Sequence, residues 1–417
     1  MAHRVSQSPT ESRVATPVST ANTPAWLRVW WQSNRRVLTH ALLAVLCMRI
    51  ALGLIVFLAA AYLPEQQALH YVYHGSSNVW LAGWARWDSE WYIGMAQNGF
   101  LARDEFQGFF PLFPVLVSIV APLFGHDYVL SGIVVSTLAC FVGFVYLLKL
   151  TSLESGEEGA KRALLYLAVY PMSFFLLAVY TESLFLACTV AAFYHARRGQ
   201  WVFAGLAAFL AALTRVNGIL LIFPMLYEAW RQSGANLHGL RSVSPLHALE
   251  RLFGIVAAPL GLLTWMLYLQ SVVHDPLAYF HRQSLYPWTH IPSAPWNTLL
   301  LATQDTFRTD FPLYVRVVNG TDLIAGLLLI AATVASWWRL PRAYSIYLGV
   351  TFLLLFSSVP VNWPLQSIPR YLVALFPCFM LLAQLGRDQR WDRAILMVSL
   401  PLLGLYTALF AMSYWVF

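Results

Sequence analysis

Asp88 and Glu90 stand inside Trp84-Ala-Arg-Trp-Asp-Ser-Glu-Trp-Tyr92, two carboxylates set among Trp84, Trp87, Trp91 and Tyr92. Rings that strip water from a carboxylate raise its pKa. A carboxyl group tuned toward the working pH suits a general base. The same stretch also fits an interfacial helix whose rings anchor at the membrane surface while its charges face water. The residues by themselves leave both readings open. Arg86 lies two residues before Asp88 and could lower that pKa instead. Two further charges are conspicuous by isolation. Glu182 is the one charged residue in Ala163–Tyr194, and Arg215 is the one in Trp201–Tyr227.

The elements that must hold these residues follow from composition. Of 417 residues, 59% are hydrophobic and 11% charged, and the mean hydropathy is +0.60. Soluble domains carry about 25% charge, so this chain cannot cover a water-facing surface. That excludes a soluble α/β enzyme and a disordered scaffold, and predicts an all-α polytopic membrane protein. The formal net charge is +7. In a soluble protein that excess would suggest nucleic acid; here it reads as a topology signal, and no nucleic-acid partner is expected. Cys47, Cys140, Cys188 and Cys378 all lie in apolar runs without metal-type spacing, as small core hydrophobes.

Residues 1–27 are rich in Ser, Thr, Pro and Ala and read as a disordered cytoplasmic tail. No apolar run follows closely enough for a signal peptide, so targeting falls to the first span. Residues 28–417 read as a single membrane domain. Apolar runs at Val37–Tyr62, Tyr128–Leu148, Leu252–Val273, Leu323–Trp338, Ala343–Val359, Tyr371–Gly386 and Ala394–Phe417 each suit one crossing. The two longer runs, with Glu182 and Arg215 near their middles, read as helical hairpins, for a total of about eleven crossings. Phe109–Gly125 contains Pro111, Pro114 and Pro122, and prolines break internal helix bonding. It reads as a short helix at the interface.

With the N-terminus inside, most Lys and Arg fall on inner loops, as the positive-inside rule requires. Residues 63–127 and 274–318 are then long outer loops, and long loops in compact proteins are usually functional. The hairpin arms are about 13–16 residues, roughly 20–24 Å, against a hydrocarbon core of about 30 Å. Glu182 and Arg215 should therefore sit below the outer surface, either in the floor of a wet recess or as a pair fixing helix packing. Arg49, inside the first span, reads first as an internal ion pair or polar contact. His274, His281 and His290 share an outer loop at spacing too irregular for a metal site. Tyr279, Tyr286, Trp288 and Trp296 suit either a sugar platform or the membrane surface.

The motif at residues 84–92 resembles the Trp-Asp-Ser/Gly-x-Trp-Tyr signature of the PIG-V-like mannosyltransferases, the family of GPI mannosyltransferase 2 and its bacterial relatives. Phe109-Phe-Pro-Leu-Phe-Pro114, Tyr170-Pro-Met-Ser-Phe-Phe175, Tyr180-Thr-Glu-Ser-Leu-Phe185, Leu213-Thr-Arg-Val-Asn-Gly218, Asp275-Pro-Leu-Ala-Tyr-Phe280 and Ile368-Pro-Arg-Tyr371 follow in the family's order. Each is weak singly; the ordered set is specific. Val216-Asn217 departs from the pattern, where many relatives carry a proline.

The resemblance implies a GT-C-like bundle. Its site would lie on the extracytoplasmic face, in a bacterial-type plasma membrane protein. It implies transfer of a hexose, mannose by preference, from a polyprenyl-phosphate donor to a hydroxyl on a glycolipid, glycan or protein, with inversion. Such a displacement needs a base for the hydroxyl proton and positive charge for the leaving phosphate. The match to the Trp-Asp pair assigns the base to Asp88, with Glu90 as substitute. Arg370 and then Arg215 are assigned to the phosphate, with Trp87, Trp91 and Tyr371 on substrate. Arg370 has a second reading as a snorkelling anchor. Glu182 would assist the acceptor, orient a cation or serve packing alone. A monophosphate leaving group needs no metal where arginines clamp it, so no metal ligands are assigned and a divalent cation stays open. No Gly-rich phosphate loop is evident, against a nucleotide-sugar donor. The competing reading is a transporter or lipid flippase, which commonly shows repeated halves; no internal repeat is visible.

Overall fold

The computed structural model describes residues 25–66, 78–234, 244–361 and 363–416. Most of the expected N-terminal tail lies outside the described residues; the first helix begins at Ala25. The protein is an all-α integral membrane protein. Among the described residues five helices are long and apolar enough to cross a bilayer: Asn34–Tyr62, Tyr128–Val169, Pro245–Val273, Leu313–Arg339 and Gln389–Ala411. Shorter apolar helices, among them Trp201–Thr214, Arg342–Phe356 and Phe376–Leu385, complete the bundle.

Local chemistry explains where several elements start and break. Asp127 accepts a hydrogen bond from the Leu130 amide at 2.9 Å and so caps the helix from Tyr128. That helix is two helices meeting at Gly156, whose φ of 75° only glycine adopts without strain. Leu112–Val120 and a following 3-10 turn, Ala121–Phe124, form the short element expected from the prolines. Ser89–Asn98 is a separate short helix ending at Gly99, φ 82°.

Two expectations change in detail. Ala163–Tyr194 is not a hairpin of two equal arms. Its first helix stops at Ala168, an irregular stretch with a 3-10 turn at Ser173–Leu176 follows, and the return helix starts at Glu182 itself. Pro171 breaks the helix there, and the Val179 amide donates to the Trp84 carbonyl at 3.0 Å, which ties the irregular stretch to the motif loop. The second hairpin does form, with Trp201–Thr214 and Ile222–Gln232 as arms and a 3-10 turn, Val216–Leu221, at the tip. Gly218 lets that turn fold tightly back. A Cβ there would lie 2.4 Å from the Ala211 carbonyl carbon and 2.4 Å from the Ala212 nitrogen.

The loop expected at 274–318 is largely structured. It holds a short helix at Ala278–Gln283, a strand at His290–Pro292 and a helix at Pro295–Phe307, and the next span already begins at Leu313. The strand pairs antiparallel with Ser358–Pro360, His290 opposite Pro360. This loop is sewn to the first. Gln283 Nε2 donates to the Gly108 carbonyl at 3.0 Å. Arg282 approaches Glu105 at 3.6 Å. Trp288 packs on Trp91 and Phe109, with ring centroids 5.9 and 5.4 Å apart. Beneath them lies a buried aromatic layer of Phe174, Phe175, Tyr180 and Phe410.

Candidate active site

The seams between these loops and the broken helices enclose a cavity of about 400 Å³. Its lining includes Trp87, Asp88, Glu90, Trp91, Arg215, Arg370 and Tyr371. Every candidate proposed from sequence except Glu182 thus faces one space, and Glu182 lies directly behind the wall. Its side chain is 0% exposed, and its carboxylate takes a guanidinium from each side. Arg215 Nη1 is 2.6 Å from Glu182 Oε1, and Arg370 Nε is 2.5 Å from the same oxygen. Arg370 then reaches forward. Its Nη1 lies 2.6 Å from Asp88 Oδ2. Arg370's side chain is 6% exposed and Asp88's 25%, so Asp88 is the carboxylate of this chain of charges that meets the cavity.

Two carboxylates and two guanidiniums make the cluster neutral. That allows four charges to share a mostly buried place, because breaking one buried pair leaves a stranded ion. Aromatic faces complete the cations' surroundings. Arg370 sits 4.6 Å from the Tyr180 ring centroid, and Arg215 sits 4.8 Å from that of Tyr371. Arg215 also donates to the Thr181 hydroxyl at 3.2 Å.

Each charge is placed by a backbone break. Asp88 immediately precedes the Ser89–Asn98 helix, and its amide donates to the Tyr180 hydroxyl at 3.2 Å, which itself donates to the Arg86 carbonyl at 2.9 Å. Trp87, just before it, has φ 57°, and Ser367, three residues before Arg370, has φ 67°. Both are left-handed conformations uncommon for such residues, and strain of this kind gathers at functional sites. Arg215 is the extended residue between a helix end and the Val216–Leu221 turn. Tyr92 is buried, and burial raises its phenol above the usual value, so it is held neutral.

Other sequence expectations divide. Arg86 bonds elsewhere: its Nη1 pairs with Glu65 at 2.7 Å and its Nε donates to the Ala411 carbonyl at 3.0 Å. The Asp88 carboxylate pairs with Arg370. Glu90 is buried on the cavity wall. Of the second loop's rings, Tyr279 and Trp288 line the cavity, while Tyr286 and Trp296 are exposed. The three histidines do not converge. His281 bonds Asp275 at 2.7 Å, and His290 bonds the Ser358 hydroxyl at 3.0 Å and lines the cavity. Burial lowers His290 to about 4. Among the described residues no group of three His, Cys, Asp or Glu could hold a metal. Sequence reasoning gave no role to Asn217, Gln283, His290, Gln366 and Trp415, all on the cavity wall. Asn217 lies inside a quoted motif; the others carry no spacing signal.

The family model for mannosyltransferase (PIG-V) matches residues 29–282, more than half of the chain. The chain belongs to the PIG-V mannosyltransferase family. It is 30% identical to mouse GPI alpha-1,6-mannosyltransferase 2 over 272 residues, 60% of this chain and 52% of the relative. It is 32% identical to GPI mannosyltransferase 2 of Schizosaccharomyces pombe over 143 residues, 33% of this chain and 30% of the relative. The chain spans about half the length of the Mus musculus and Cricetulus griseus relatives it matches. Among solved structures, ArnT from Cupriavidus metallidurans bound to undecaprenyl phosphate aligns with TM-score 0.47 and 13% identity, over 88% of this chain and 76% of that one. The Archaeoglobus fulgidus oligosaccharyltransferase aligns with TM-score 0.45 and 14% identity, over 92% and 56%.

Proposed function

We propose that this PIG-V family member is an inverting, GT-C-type hexosyltransferase. It takes mannose from a polyprenyl-phosphate donor and gives it to an acceptor hydroxyl on a glycolipid, glycan or protein at the extracytoplasmic face. The observation that carries the reading is Arg370 bonded to both Asp88 and Glu182 at the wall of one cavity. Family membership supports the choice of sugar. The placement of basic residues supports the choice of face.

In the reaction, the acceptor oxygen forms a bond to the sugar's anomeric carbon as the bond from that carbon to the phosphate oxygen breaks. The acceptor's proton passes to Asp88, and the electron pair leaves with the phosphate. A phosphodiester thereby becomes a monoester and gains negative charge. That charge draws on Arg370, the guanidinium that holds Asp88. Loosening of the Arg370–Asp88 pair then accompanies proton uptake by Asp88, so the two ends of the displacement share one cation. Glu182 and Arg215 keep Arg370 in place. Trp87, Trp91, Trp288 and Tyr371 line the cavity with aromatic surface against which a sugar can pack.

The test is incubation of the purified protein with polyprenyl-phosphate mannose and a panel of glycolipid, glycan and peptide acceptors. Labelled product is expected with the wild type, and Asp88→Asn should lower its rate by about 10²–10⁴-fold while expression and elution stay unchanged. No product with any sugar donor sinks the transferase reading; wild-type rates in Asp88→Asn sink the choice of base.

A further inference from the structure

Arg49 is the only Asp, Glu, Lys or Arg in Val37–Tyr62, and the reaction above makes no use of it. A cation inside a span is costly and commonly functional. Arg49 makes no ion pair among the described residues. Its Nη2 donates to the Thr137 hydroxyl and, at 3.0 Å, to the Leu177 carbonyl. Its guanidinium carbon lies 4.6 Å from the Trp84 ring centroid. Its Nη1 is buried without a hydrogen-bond partner among the described residues.

Two of those partners, Trp84 and Leu177, belong to the two segments that carry the site's carboxylates. Trp84 opens the motif that leads to Asp88. Leu177 lies in the irregular stretch that leads to Glu182, where carbonyls lack helical partners. The two segments meet again just beyond. The Val179 amide donates to the Trp84 carbonyl, and Tyr180 bridges the Arg86 carbonyl and the Asp88 amide. Thr137 ties the same guanidinium to the helix from Tyr128.

We propose that Arg49 is a positioning residue that clamps the Asp88 segment to the Glu182 segment and so sets the span that Arg370 bridges. One planar group gives an aromatic contact to the first segment and a hydrogen bond to the second. An apolar side chain of like size would satisfy neither the Leu177 carbonyl nor the cation–π contact. The kinetic half of its test rests on the transferase reading; the structural half does not.

Hydrogen–deuterium exchange is compared for wild type, Arg49→Met and Arg49→Lys, with kinetics on the same preparations. In Arg49→Met, amides of residues 84–92 and 177–183 should exchange about tenfold faster or more, on the scale of one lost hydrogen bond. Those of Pro245–Val273 should not change. Turnover per folded molecule should fall about 10–100-fold from misplacement of the reacting groups, with donor KM nearly unchanged. Arg49→Lys, which keeps a donor and a cation, should recover part of both. If Arg49→Met does not fold, Thr137→Val replaces it, with a smaller rise in exchange at the same two stretches. Unchanged exchange there overturns the clamp. Faster exchange with unchanged turnover overturns its role in positioning. If the wild type itself shows no transfer, the functional reading fails, and the exchange comparison still decides whether Arg49 holds the two segments.

Discussion

Replacing Arg370 by lysine keeps the charge and removes the fork. The fork matters because its two ends serve two different carboxylates: Nε lies 2.5 Å from Glu182 and Nη1 lies 2.6 Å from Asp88. A lysine has one nitrogen and cannot reproduce both contacts in that geometry. At 6% side-chain exposure, water offers little compensation. One charge-assisted hydrogen bond is worth about 1.5–3 kcal/mol. The bond lysine cannot make is the one that turns from Asp88 to the leaving phosphate in the transition state, so kcat/KM should fall roughly 10–150-fold. Lysine is preferred to methionine here, because removing the charge would strand a buried carboxylate at about 3–5 kcal/mol and confound folding with function. The assay is transfer from polyprenyl-phosphate mannose in detergent micelles, with initial rates below saturation and thermal denaturation of the same sample. A kcat/KM within twofold of wild type, in a protein that melts normally, refutes the role given to the fork. A double-mutant cycle with Asp88→Asn adds a second check, since groups in direct contact should couple by about 0.5–3 kcal/mol.

Two more outcomes are expected. Gly218→Ala should destabilise the tip that carries Arg215 by about 1–3 kcal/mol, because the added carbon meets backbone atoms of Ala211 and Ala212 that cannot swing aside; an unchanged melting temperature and rate would contradict this. For His290, burial lowers the folded-state value from 6.5 to about 4. The unfolded chain then binds the extra proton first as pH falls, so stability should be full above about 6.5 and decline toward 4, by about 3 kcal/mol at most. His290→Gln should flatten the thermal stability profile in that window; an identical acid limb in both proteins would reject the assignment.

Much of the site was legible from charge in the wrong solvent. A lone Glu182 and a lone Arg215 in long apolar runs pointed to a recess, and the structure joins them at 2.6 Å. Asp88 emerged from its ring-rich loop, and Arg370 from its place in a motif. The pattern of who holds whom was not legible. Arg86, nearest to Asp88 in sequence, turns away to Glu65 and the Ala411 carbonyl, whereas Arg370, remote in sequence, takes the carboxylate. Sequence separation says nothing about such choices; they follow from how the helices pack. The same holds for residues 169–181. Their apolar composition reads as helix, but Pro171 interrupts it, and the partners that the freed backbone then takes, Trp84 and Arg49, are remote in sequence. The elements of the second long loop were hidden because short amphipathic pieces give little periodicity.

The neutral cluster also bears on how the chain is made. Its members arrive at residues 88, 182, 215 and 370, in that order along synthesis. Glu182 finds its first counterion early, in Arg215. Asp88 waits for its partner until Arg370, 282 residues later, on the order of 14–56 seconds of elongation at about 5–20 residues per second. During that interval the nascent protein carries an unmatched carboxylate at the edge of a half-built bundle. The segment around Arg370 is therefore a closing piece, and chains stopped before it should be recognised by membrane quality control as unfinished.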